Sequence, residues 1–356
     1  MTNDFIEYWS AANLLLHHGN AYSPAELLAV QRSAGWTDPA ALLMWNPPWT
    51  LSLLAPLGLL DHDTAQFVWF VVHALIIFVG AQLLWRVYAE SPALSSRGWI
   101  ALFAFAPIYL VLLLGQIAPL ILAGVIGFLL AARRGAWFCA GAWLALAALK
   151  PHLFYLLWLA SLLWVLHERK WRLAAGFSLT LALMAGAPLV FDGQIYPKYF
   201  ALLADRSVIQ AQEWATPTLG TAVNLLLGGQ HDWLRWMPAL GGVVWFAGYW
   251  SKHRSRWDWP AQLPLIILVS VASAPFAWSF DYVVLLPALM QCAAEQSRQR
   301  GWPAAVYLAL CFVTLLGKVW VRNDFWYFGL APGFLLLYVW SRHERKFVAA
   351  SAPPLV

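Results

Sequence analysis

Long apolar runs separated by short charged connectors organise this chain. Runs of roughly 15 to 24 residues recur from about Thr64 to Trp340, and a bilayer-spanning helix needs about 20 mostly apolar residues. The pattern predicts eleven spans, at about 64–86, 99–114, 117–132, 136–149, 152–166, 173–191, 233–250, 262–277, 280–296, 303–319 and 325–341. Two connectors are long, residues 1–63 and 192–232. Six spans lie between them, so both fall on the same side of the membrane. The expected architecture is an all-α polytopic membrane protein. Transmembrane blocks at 64–191 and 233–345 and a tail at 346–356 form one integral membrane domain.

The long connectors carry their own pattern. Asp4-Phe5-Ile6-Glu7-Tyr8-Trp9 precedes the first run, and Asp4, Glu7 and Tyr8 share one face if the segment is helical. It reads either as an interfacial helix with its acids in water or as part of an active-site loop. Gly19–Pro24 is a turn signal, with a helix expected from Pro24 to about Ala34. After Trp45-Asn46-Pro47-Pro48-Trp49, the stretch Thr50–Leu60 is too short to span and should lie in the interface or re-enter the bundle. In the second connector, Tyr196–Arg206 suits a helix on the membrane plane, and Thr216–Thr221 is a polar turn facing an acceptor or a plain linker.

Composition agrees with the pattern. The 356 residues are 62% hydrophobic and 11% charged, with mean hydropathy +0.63, which excludes an ordinary soluble domain. The 24 tryptophans suit many interfacial helix ends. Cys139, Cys292 and Cys311 all lie in apolar segments and read as small core residues without disulfide or metal spacing. The net charge of +5 is explained by its distribution and does not imply nucleic acid. On the proposed layout, fifteen Lys and Arg, including Arg133, Arg134, Arg169, Lys170, Arg172, Arg254 and Arg256, fall on one side and seven on the other. The positive-inside rule makes the richer side cytoplasmic. Both long loops and the N-terminus are then extracytoplasmic, and the C-terminus is inside. Residues 1–10 hold neither a signal peptide nor a span, so a span preceding Asp4 is expected to be missing; restoring it gives twelve.

Several polar groups sit at outer turns. Asp61-His62-Asp63 has an acidic-x-acidic spacing, but Asp63 just before Thr64 reads better as a helix cap. Gln116, after Gly115, could bond a substrate or satisfy its turn. Lys150, before Pro151, could snorkel to the interface or hold a lipid phosphate. Asp281 enters an apolar run and reads as functional or as the buried partner of a cation. Lys318, Arg322 and Asp324, on the last outer turn, are further candidates.

In order and spacing these features resemble glycosyltransferase family 87. The resemblance rests on Asp4-Phe5-x-x-Tyr8-Trp9, Gly19 and Tyr22, Pro47-Pro48, Gly115-Gln116, Ala140-Gly141 with Lys150-Pro151, and Ala274-Pro275 with Trp278 and Asp281. It implies a GT-C-like membrane fold with its active site facing the periplasm or exterior of a bacterial plasma membrane. It also implies transfer of a sugar, often mannose, from a polyprenyl phosphate to a glycolipid or glycan hydroxyl, with Asp4 as general base. The sequence departs from the family at the absent span before Asp4 and at Phe280, where some relatives carry a polar residue or histidine.

The residues suit that chemistry. A base takes the acceptor proton while the oxygen displaces a lipid phosphate, a leaving group that needs no general acid, unlike glycoside hydrolysis. Lys150 and Arg322, and less directly Arg206, are the candidates to stabilise phosphate charge. Tyr8, Glu7, Gln116 and Asp281 are candidate substrate contacts. Single-step displacement predicts inversion, with no metal or cofactor. The rivals are a transporter or lipid-carrier flippase and a degenerate, non-catalytic homologue. Transporters often carry internal repeats, and no clear repeat is present.

Overall fold

The computed structural model describes residues 4–205, 216–295, 302–320 and 324–351. These residues are helical, without strands. In chain order the first helices are α1 (Phe5–Leu16), α2 (Pro24–Ser33), α3 (Leu51–Leu54), α4 (His62–Tyr88), α5 (Ser96–Phe103) and α6 (Ala106–Leu114). Then come α7 (Ala118–Arg133), α8 (Trp137–Leu144), α9 (Tyr155–Glu168), α10 (Trp171–Gly186) and α11 (Ile195–Ala204). After residue 215 follow α12 (Leu219–Leu226), α13 (Met237–His253), α14 (Trp259–Ala272), α15 (Leu286–Glu295), α16 (Trp302–Trp320) and α17 (Leu330–Ser351).

Each of the eleven expected apolar runs is helical, but most are short or broken by 3₁₀ turns. By length and composition two helices can cross a membrane, His62–Tyr88 and α10 with its 3₁₀ extension, Trp171–Val190; α5 and α6 make a third if counted as one bent span. Prolines cause several interruptions: Pro151 opens a 3₁₀ turn before α9, and Pro188 sits in the turn after α10. On α4, Phe67, Leu75 and Val79 are exposed, as expected for a surface meant for lipid. Cys139 is also exposed, which corrects its reading as a core residue, whereas Cys311 is buried.

The chain forms two compact units interleaved in sequence. The first comprises residues 1–77, 110–151 and 169–214. Here α8 packs on both α7 and α10 through glycines. A Cβ on Gly141 would meet the Leu173 carbonyl at 2.0 Å, and one on Gly176 would meet the Phe138 carbonyl at 2.0 Å. Only a missing side chain allows this backbone approach, the small-residue packing usual between apolar helices. The Thr50–Leu60 stretch does not span: it forms α3 flanked by 3₁₀ turns and packs on α1. Gly58 lies so close that an added Cβ would be 2.7 Å from the Ala12 carbonyl carbon. Asn13 and Trp9 donate to the Gly58 and Leu60 carbonyls at 3.2 and 3.0 Å.

The second unit comprises residues 78–109, 152–168 and 215–356. In it α14 packs against α9 and α17, and α15 against α5. Ser270 of α14 donates to the Leu153 carbonyl at 2.8 Å and accepts the Leu156 N–H at 3.3 Å. It thereby satisfies backbone groups freed where the chain enters α9. Thr216–Thr221 is neither a plain linker nor an exposed turn. Thr216, Thr218 and Thr221 are buried, Thr218 caps α12 by accepting the Thr221 N–H, and the Tyr282 hydroxyl donates to the Pro217 carbonyl at 2.6 Å.

Candidate active site

The expected Asp4–Trp9 segment is the first turn of α1, and Asp4 is its N-cap residue. Helical spacing brings Asp4, Glu7 and Tyr8 to one side, where Asp4 and Tyr8 meet Gln116. The Gln116 side-chain N–H donates to Asp4 Oδ2 at 2.8 Å, and the Tyr8 hydroxyl donates to Gln116 Oε1 at 2.8 Å. Gly115 makes this approach possible: its φ of +69° lies in the left-handed region that favours glycine. Its carbonyl accepts the Trp69 indole N–H at 2.7 Å, while the Gln116 backbone N–H bonds the Val111 carbonyl at 3.2 Å. The Trp69 ring lies against Phe5 and Tyr8, with centroids 5.6 and 6.0 Å away.

Lys150 completes the cluster electrostatically. It sits at φ −136°, between 3₁₀ turns at Ala145–Leu149 and Pro151–Phe154. The chain before it is held from the first connector: Asn46 donates to the Leu149 carbonyl and Trp49 to the Ala148 carbonyl, both at 2.9 Å. Tyr22 and Tyr199 secure that connector in turn by donating to the carbonyls of Asn46 and Trp45.

Glu7 reports on this neighbourhood. Burial, and then the charge of Asp4, push its carboxyl up to about 8, while a hydrogen bond with Tyr8 and the charge of Lys150 pull the other way. At neutral pH Glu7 therefore keeps its proton most of the time. Two neighbouring carboxyls with one cation nearby avoid a double negative charge in a sheltered site.

Of the residues singled out from sequence, Asp4, Glu7, Tyr8, Gln116 and Lys150 come together in the first unit. Asp281 belongs to the second unit. It is 1% exposed, and its carboxylate accepts the Trp278 backbone N–H at 3.0 Å, tying the turn that opens at Ser279. Arg322 and Arg206 lie outside the described residues, as do the side chains of Lys318 and Asp324. At Asp61-His62-Asp63 the cap falls on Asp61, whose carboxylate accepts the Thr64 N–H at 3.0 Å; Asp63 is almost fully exposed. The first turn of α4 starts two residues earlier than the apolar pattern indicated, at His62, which moves the cap position back from Asp63 to Asp61.

Two buried amides escaped sequence reading. Gln31 donates to Ser10 and to the Leu42 carbonyl and accepts the Leu42 N–H, joining α1, α2 and the irregular segment that follows. Asn46, before two prolines, carries the contact to Leu149. Nothing local marks either, because each is satisfied by distant backbone.

The apolar helices suggest a membrane protein. Residues 45–247, more than half of the chain, match the model of glycosyltransferase family 87, and the chain belongs to that family. It is accordingly a glycosyltransferase, acting on a sugar donor and an acceptor. The matched residues include Gln116 and Lys150 and leave Asp4, Glu7, Tyr8 and Asp281 outside. Neither a curated protein nor a solved structure matches the chain.

Proposed function

We propose that this glycosyltransferase moves a hexose, with mannose the first choice, from a polyprenyl phosphate to a hydroxyl of a glycolipid or glycan. Asp4 acts as the base and Lys150 offsets charge on the departing phosphate, with Arg322 a second cation for that role. The observation that carries this reading is the convergence of Asp4, Tyr8 and Gln116 in direct hydrogen bonds, with Lys150 close enough to act on Glu7. Because Glu7 holds its proton at neutral pH, Asp4 is the carboxylate suited to take one. The acceptor oxygen attacks the anomeric carbon as its proton passes to Asp4. The C–O bond to phosphate breaks, the bonding pair leaves with the phosphate oxygen, and configuration inverts.

The same reading takes the apolar runs as eleven crossings of a GT-C-like fold, or twelve with a preceding span. It places the first loop, 1–63, and the second, 192–232, on the extracytoplasmic face of a bacterial inner membrane, with the C-terminus inside. The surplus of Lys and Arg on the opposite connectors supports this orientation.

Membranes carrying the protein, given radiolabelled polyprenyl-phosphate mannose and an acceptor extract, test the reading. Label should enter the acceptor and be lost with Asp4→Asn at normal membrane abundance. Undiminished incorporation by Asp4→Asn removes Asp4 as the base. Movement of intact lipid across the bilayer without incorporation would identify a flippase instead.

A further inference from the structure

We propose that Gln116 is a positioning residue that aims the Asp4 carboxylate, and that Tyr8 sets the direction of its amide. The inference rests on Asp4 being the base. A primary amide has one donor end and one acceptor end, a tyrosine hydroxyl has a single proton, and an ionised carboxylate only accepts. With the Tyr8 proton on Gln116 Oε1, the amide N–H₂ is turned to Asp4 Oδ2, each at 2.8 Å. No other orientation satisfies all three groups.

The amide is well supported. Gln116 is 6% exposed and Tyr8 1% exposed. The Gln116 backbone is anchored to Val111 and follows the left-handed turn at Gly115, which Trp69 holds from the other side. A fixed N–H on one carboxylate oxygen sets the plane of the group, and so the direction from which its lone pairs meet an acceptor hydroxyl. It also favours the ionised form that a base requires. Glu7 and Asp4 act on one another electrostatically, and Lys150 acts on Glu7. Gln116 touches no reacting atom in this scheme; it acts through Asp4.

Gln116→Glu is the discriminating substitution, because it keeps an oxygen for Tyr8 and replaces the N–H facing Asp4 by a second oxygen. With polyprenyl-phosphate mannose as the probe, kcat should fall about 100-fold, the usual consequence of misaiming a reacting group, with KM for the donor little changed. The acid limb of the pH–rate profile should move to higher pH by about one unit or more. Tyr8→Phe should act in the same direction with a smaller loss, about tenfold. Placed on Asp4→Asn, Gln116→Glu should add nothing. A full additional loss on that background overturns the inference, as does Gln116→Glu with wild-type kcat and acid limb.

A second readout does not depend on turnover. The Asp4 carboxyl band, assigned by its loss in Asp4→Asn, can be titrated by infrared difference spectroscopy. Its protonation midpoint should rise in Gln116→Leu, and an unmoved midpoint overturns the positioning role. Retained sugar transfer by Asp4→Asn overturns the base assignment instead, so the two failures are told apart.

Discussion

Asp4 and Asp281 are both sheltered acids at the start of helical turns, yet they are satisfied differently. Asp281 accepts the backbone N–H of Trp278, three residues away, so its carboxylate ties its own turn. Asp4 makes no side-chain cap on its helix; its carboxylate instead takes an amide N–H from 112 residues further along the chain. A local bond of the first kind forms wherever a turn needs a cap. The second kind requires two distant segments to be folded against each other, and it leaves a carboxylate held in place beside a protonated glutamate and a lysine. On the proposed function, the first of these arrangements suits a turn and the second a reactive group.

The strongest way to break this comparison is to neutralise each acid in turn. Asp4→Asn should lower sugar transfer by at least about 100-fold, the lower range of what a positioned base contributes. Asp281→Asn, which still offers an oxygen to Trp278, should transfer sugar nearly as the parent does. The reverse ranking, measured at equal membrane abundance, would move the chemistry to the second unit.

Next in size is the effect of Glu7 on stability. Its folded-state carboxyl titrates at about 8 against an ordinary value of 4.5, so the folded protein binds a proton that the unfolded chain has released. Stability therefore falls as pH rises from about 4.5 to 8 and levels off above that. Glu7→Gln should remove this loss, stabilising the protein by on the order of 3–5 kcal/mol above pH 8 and by little at pH 4. Thermal melts in detergent at the two pH values check the sign; an equal gain at both would mean that the ionisation of Glu7 is not what lowers stability.

Smaller effects sharpen the structural side. Asn46→Ala should cost about 1–3 kcal/mol, since the Leu149 carbonyl loses a buried donor, and it should slow transfer through the displacement of Lys150. Asp281→Ala should cost about 1 kcal/mol by removing a cap, without an effect on the pH dependence of transfer.

Much of the cluster was legible in the sequence because it is local. The spacing of Asp4, Glu7 and Tyr8 is a helical face, and Gly115 before Gln116 marks a turn. What could not be read was the pairing of these parts. The bond from Gln116 to Asp4, and those from Asn46 and Trp49 to Leu149 and Ala148, cross a hundred residues and leave no periodic trace. The apolar runs gave the helices, yet not their continuity. Hydropathy is blind to whether a run ends in a 3₁₀ turn, as at Ala145–Leu149, where side chains rather than helical N–H groups take the carbonyls. Asp61 took the capping role expected of Asp63 for a similarly local reason: the helix began two residues sooner.

The hold of Asn46 and Trp49 on the two carbonyls before Lys150 has a consequence for how such a chain can change. An insertion that lengthens or shifts the 45–49 segment moves the platform under a cation far away in sequence, so the Asn46 amide must stay in register with the Leu149 carbonyl. A single residue added between Trp45 and Trp49 should be felt at Lys150. The 45–49 segment and the lysine turn thus behave as one mechanical block rather than as a core with a separable lid.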